Sequence, residues 1–110
     1  MPGESAVVSG LTSDALVPVQ IGEVFQYFST LKVAAISFRD GCDQVIRLGN
    51  QLRFGPCPDS TRARTRRIVV RSMERWHKPL QEASGPEPVA ILTGFHVRRG
   101  TPVFLLVKPV

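Results

Sequence analysis

Hydrophobic positions along this chain change rhythm several times, and each rhythm predicts an element. Leu16, Val17, Val19 and Ile21 form a short extended stretch broken by Pro18, which lacks an N–H and so belongs at a sheet edge or bulge. Ile21, Val24, Phe25, Phe28 and Leu31 then step by 3, 1, 3 and 3. That spacing predicts a helix over 22–31 with its apolar face in the core. Val33 to Phe38 (VAAISF) predicts a buried strand, ended by the Asp40-Gly41 turn signal.

Residues 43–54 fit two periods. Ile46, Leu48, Leu52 and Phe54 alternate with polar neighbours as in a half-buried strand, while Val45, Ile46, Gly49 and Leu52 fit a helical face capped by Asp43. The strand–turn–cap order favours the helix slightly. A hairpin about Gly49-Asn50 is disfavoured, because it would set Ile46 opposite Arg53 and mix the two faces.

From Asp59 to Pro79 the chain reads as a helix with two stripes. Ile68, Val69, Ser72, Met73 and Trp76 make one face, and Arg64, Arg67, Arg71, Arg75 and Lys78 make another. Asp59 or Ser60 supplies a cap, and Pro79 a stop. The β-branched triplet Ile68-Val69-Val70 leaves a strand open as the alternative. Arg67, Val69 and Arg71 would then share one face, and Ile68 and Val70 the other. After the irregular loop 81–88, two β-type runs, 89–97 and 101–107, flank Arg98-Arg99-Gly100 and predict a C-terminal hairpin. The continuously apolar Leu105-Leu106-Val107 makes its second strand central or covered on both sides.

The resulting order, β-α-β-(α or β)-α-β-β, predicts a small α+β domain over 13–110: a mixed sheet with helices packed on one face and a C-terminal β-hairpin. A flexible tail, 1–12, precedes it, in which residues 6–8 could pair as a short edge strand. This order and the basic charge resemble small α+β chromatin and RNA-binding proteins of the Alba type. The sequence IGEVF stands where those proteins carry a lysine-rich turn, so their function is not carried over.

Length and composition fit one globular domain: 110 residues, 43% hydrophobic and 21% charged. No apolar run reaches the length of a bilayer span, and no basic residue precedes the short apolar piece at the N-terminus. An intracellular protein, cytoplasmic or nuclear, with no membrane partner is expected. Cys42 and Cys57 lack metal-ligand spacing and are expected as unpaired thiols. His77 and His96 stand beside no nucleophile motif, and Asp40 and Asp43 suit a turn and a cap. Neither catalysis nor a cofactor or metal is expected.

Charge changes the picture most. Residues 1–60 carry four basic side chains (Lys32, Arg39, Arg47, Arg53) against six acidic ones, whereas 61–110 carry ten against three. Six of the seven basic residues from Arg62 to Lys78 are arginines: Arg62, Arg64, Arg66, Arg67, Arg71 and Arg75. Arginine binds phosphate bidentately, stays charged and stacks on bases. With only Glu74 acidic in that stretch, it lacks the alternating signs of an ordinary solvated face. Arg98 and Arg99 add a second basic element, and the two together suggest a clamp. Trp76 could stack on a base or anchor a partner, but its spacing from Met73 and Val69 favours the core; Phe95 and His96 could stack on nucleotides. The expected function is nucleic-acid binding, RNA slightly favoured over DNA, led by phosphate contacts from these nine residues. The alternative is a non-catalytic assembly or adaptor subunit whose basic segment docks an acidic protein surface. Either is compatible with a homodimer or with membership of a larger complex.

Overall fold

The computed structural model describes residues 15–57 and 65–109, and over these the protein is all-β, with no helix. Ten strands follow one another: β1 (Val17–Phe28), β2 (Val33–Phe38), β3 (Ile46–Arg47), β4 (Gln51–Phe54), β5 (Arg66–Val69), β6 (Met73–Arg75), β7 (Lys78–Leu80), β8 (Glu82–Ala83), β9 (Val89–Leu92) and β10 (Pro102–Val107). Eight form one antiparallel sheet in the order β5-β4-β10-β1-β2-β9-β6-β7, and β3 and β8 form a separate two-stranded ribbon.

Chain connectivity forces that sheet to curl. β5 is the first strand in the order and β6 the seventh, yet only Val70, Arg71 and Ser72 join them. In a flat sheet they would stand about 29 Å apart, at strand spacings of about 4.8 Å. The link from Val69 to Met73 can reach no more than about 15 Å. The sheet therefore wraps into a half-barrel, with the run from Arg66 to Arg75 crossing from β4 on one side to β9 on the other. Val70, at the crossing, is bound on both its N–H and its C=O to the Gly49-Asn50 turn, and the Leu92 N–H donates to the Ser72 carbonyl.

The core fills the inside of this curl. Ala34 and Ile36, Leu52 and Phe54, Val89 and Ile91, and Val103 and Leu105 point inward at every second position of their strands. The β3–β8 ribbon adds Ile46 and Ala83 to the same cluster. β10 lies between β1 and β4, as its apolar run predicts. Pro18 stands where β1 pairs with β10 alone, since β2 joins only from Gly22.

The expected α+β architecture is thus replaced, and each predicted helix fails for its own reason. Residues 22–31 are mostly β1. Pairing irregularities between Gln20 and Gly22, and between Val24 and Gln26, shift the phase of its alternation. Ile21, Val24 and Tyr27 consequently turn to the core three residues apart, which imitates a helical face. Phe25, Phe28 and Leu31, which that helix would have buried, are exposed. In residues 43–54 the slightly favoured helix gives way to β3 and β4, which pair with other strands and not with each other.

The arginine-rich helix is absent as well. Its described part is β5, β6 and β7, in the strand alternative left open by the β-branched triplet. Val70 is 1% exposed and points inward, while Val69 is 44% exposed. The proposed cap residues, Asp59 and Ser60, and the tail 1–12 lie outside the described residues. The C-terminal hairpin is also overturned: β9 pairs with β2 and β6, and β10 with β1 and β4. Residues 93–101 are a crossover instead, tied down by buried Val97 and by the Thr93 hydroxyl, which donates to the Phe95 carbonyl at 2.7 Å. Both cysteines are free thiols. No helix here is long and apolar enough to cross a membrane.

Candidate functional site

The outer edge of β5 gathers Arg66, Arg67 and Arg71, with Arg53 on the adjacent strand. Its pairing with β4 sets Leu52 opposite Ile68 on the inner side and Arg53 opposite Arg67 on the outer side. Arg66, opposite Phe54, stands at the inner rim and lays its guanidinium over the Phe95 ring at 4.0 Å. Phe95 in turn meets Phe54 edge-on at 6.1 Å. Arg53 covers Phe104 at 4.3 Å and donates from Nε to the Gly55 carbonyl at 3.1 Å. Both guanidinium groups sit over aromatic rings, a cation–π contact that holds them in place while leaving donors for a ligand.

β5 ends the sheet, and a groove of about 390 Å³ runs along its open side. Arg66, Arg67 and Arg71 rim this groove, facing Leu92, Thr93, Gly94 and Phe95. Directly opposed like charges such as Arg53 and Arg67 destabilise a strand pair. Among the described residues the one ion pair joins Arg47 to Glu82 and involves none of these arginines. A bound anion would relieve that repulsion.

The other predicted residues go elsewhere. Arg75 is a latch for the loop after β8: its guanidinium donates to the carbonyls of Ser84, Glu87 and Pro88 at 2.9, 2.7 and 3.1 Å. That irregular loop is held in place by these bonds. Lys78 is exposed at the start of β7, beyond the Trp76-His77 turn. Arg98 and Arg99 line a separate open cleft of about 810 Å³ with Phe25, Tyr27 and His96. The Tyr27 and His96 rings meet edge-on there at 4.8 Å. Since Phe95 bears Arg66 and His96 belongs to this cleft, the crossover segment flanks both basic places. Arg62 and Arg64 lie outside the described residues.

Three contributors escaped the sequence pattern. Arg53 was hidden by the helix slightly favoured for 43–54, and its partner ring Phe104 by the expected hairpin, which paired its strand with 89–97 rather than with β4. The Leu52/Phe54 alternation marks Arg53 as outward-facing once a strand is accepted. Trp76, expected in the core, is 74% exposed. No sequence signal marks that exposure, which depends on the two-residue turn that carries it. Among the described residues no three His, Cys, Asp or Glu side chains come together as a metal site. The arrangement is suited to holding anions.

No family model matches the chain, and no curated protein matches it. Solved structures do share its architecture. One is the C-terminal domain of a Geobacillus thermoleovorans protein described as a candidate U32 peptidase, with a TM-score of 0.62 and 16% identity over 77% of this chain and 89% of that one. The selenomethionine variant of the same domain gives 0.64 and 16% over 78% and 98%. At this identity the likeness is one of fold: the curled antiparallel sheet is an arrangement that this chain shares with that domain.

Proposed function

We propose that this domain binds nucleic acid through the open edge of β5, with RNA the preferred ligand. The observation that carries the reading is the in-register Arg53–Arg67 pair beside a groove rimmed by Arg66, Arg67 and Arg71. Small barrels that bind single strands combine a basic groove with aromatic rings, and Phe95 and Phe104 supply rings beneath two of these arginines. Four phosphate contacts on a single strand imply a log–log salt slope of about −2.8. Fluorescence-anisotropy titrations with single-stranded RNA, duplex RNA and duplex DNA at two salt concentrations test this. Binding with that slope, strongest for single-stranded RNA, is expected, and absence of binding at low salt would remove the reading.

A second reading follows from the same edge. Among the described residues β5 pairs on one side only, with β4, and an acidic segment of another protein could add as a strand on its outer side. Under this reading nucleic acid would compete poorly with the protein partner.

A further inference from the structure

The β5 groove does not end at Arg71. A second groove, of about 280 Å³, continues from Ser72 and shares Leu92 with the first. Its character differs: Phe28, Leu31, Val33 and Leu92 make an apolar floor, and Trp76 stands at its side. Leu31 is 65% exposed and Phe28 and Leu92 about two-fifths, so this surface is open along the protein. Contiguous exposed apolar surface of this kind marks an interaction site.

The turn that holds Trp76 is unusual. Trp76 and His77 link β6 to β7 as a two-residue hairpin turn, with φ of 54° and 62°. Turns with both central residues left-handed favour Asn-Gly, because a bulky side chain is disfavoured there. The fold thus places its one tryptophan, exposed, in a conformation that large residues rarely adopt.

Resting on the nucleic-acid reading above, we propose that the ligand is single-stranded, with phosphates over Arg66, Arg67 and Arg71 and bases continuing onto the second groove, where Trp76 stacks on one of them. Two features select the bases as occupant. The basic groove runs directly into the apolar one, so a chain with charged links and flat apolar faces matches both in order. Glu74 lines the apolar groove and repels phosphate, which keeps the ligand's backbone on the arginine side. A duplex keeps its base faces stacked inside and cannot use an aromatic floor. The run from Arg67 to Trp76 spans up to about 30 Å, which suits the roughly 4–16 nucleotide sites of single-strand-binding barrels.

Because Trp76 is the sole tryptophan, its intrinsic fluorescence reports on this site directly. The probes are an oligouridylate of about ten nucleotides and an abasic ribose-phosphate strand of the same length, with binding followed separately by probe anisotropy. The oligouridylate is expected to quench Trp76, and the abasic strand to bind without quenching. Trp76→Ala should weaken oligouridylate binding by about 10-fold or more and leave abasic binding unchanged, while Trp76→Phe restores most of the loss. Oligouridylate binding with no quenching and no effect of Trp76→Ala would overturn the stacking proposal while leaving the β5 edge intact. Failure of both probes to bind would overturn both, and failure of the abasic strand alone would overturn the placing of phosphates on the arginines. Quenching that follows protein concentration without RNA would assign the groove to a second copy of the chain and overturn the proposal.

Discussion

Replacing Arg67 and Arg71 together by glutamate is expected to lower affinity for single-stranded RNA by at least about 100-fold and to leave the fold intact. Both side chains are exposed, Arg67 on the outermost strand of the sheet and Arg71 in the link that follows it. Removing two of four phosphate contacts should also flatten the salt slope by about 1.4. Stability should move the other way. Arg67→Glu sets a carboxylate directly opposite Arg53, and an opposite-charge cross-strand pair contributes roughly 0.2–1 kcal/mol. Thermal melts should therefore show an unchanged or slightly raised midpoint while anisotropy shows lost binding. Retained affinity in this variant would rule out the β5 edge as the interface.

Gly22→Ala is expected to be among the most damaging single changes for stability. Gly22 is buried in β1, paired with Val103 of β10 on one side and Phe38 of β2 on the other. A Cβ at this position would run into the Ser37 carbonyl group and the Phe38 Cα. These are backbone atoms of the adjacent strand, so no side chain can rotate away to make room. β1 lies between β10 and β2 in the sheet, so displacing it disturbs both neighbours. The cost should be about 3 kcal/mol or more, a large share of the 5–15 kcal/mol typical of a domain. Urea denaturation measures it. A loss below about 0.5 kcal/mol, the range of ordinary surface changes, would show that β1 and β2 do not approach as described.

How far the sequence discloses this fold depends on whether local pattern and tertiary pairing agree. β2 is legible to the residue, since VAAISF is bounded by a turn signal and is uninterrupted. The apolar end of β10 is legible for the same reason. β1 is not, because its two irregularities turn a period of two into intervals of three. The C-terminal hairpin misleads because β9 and β10 look like neighbours, whereas long-range pairing sends them to different partners. Of the site, the basic character of Arg66, Arg67 and Arg71 is visible in composition alone and does not depend on backbone type. The stacking of Arg66 on Phe95 and the opposition of Arg53 and Arg67 exist only once distant segments are brought together. Arg75 carries the same charge but spends it on three backbone carbonyls, a difference that composition cannot express.

In the proposed complex the β5 edge and the facing crossover segment hold the ligand's phosphates. The most direct test of this is a backbone amide NMR titration of the protein with single-stranded RNA at low salt. The largest shift changes are expected between Arg66 and Ser72 and between Leu92 and Phe95, with smaller ones at Arg53 and Phe104. Changes confined to the separate groove about Asp43, Val45 and Leu106, or no changes at saturating RNA, would contradict it.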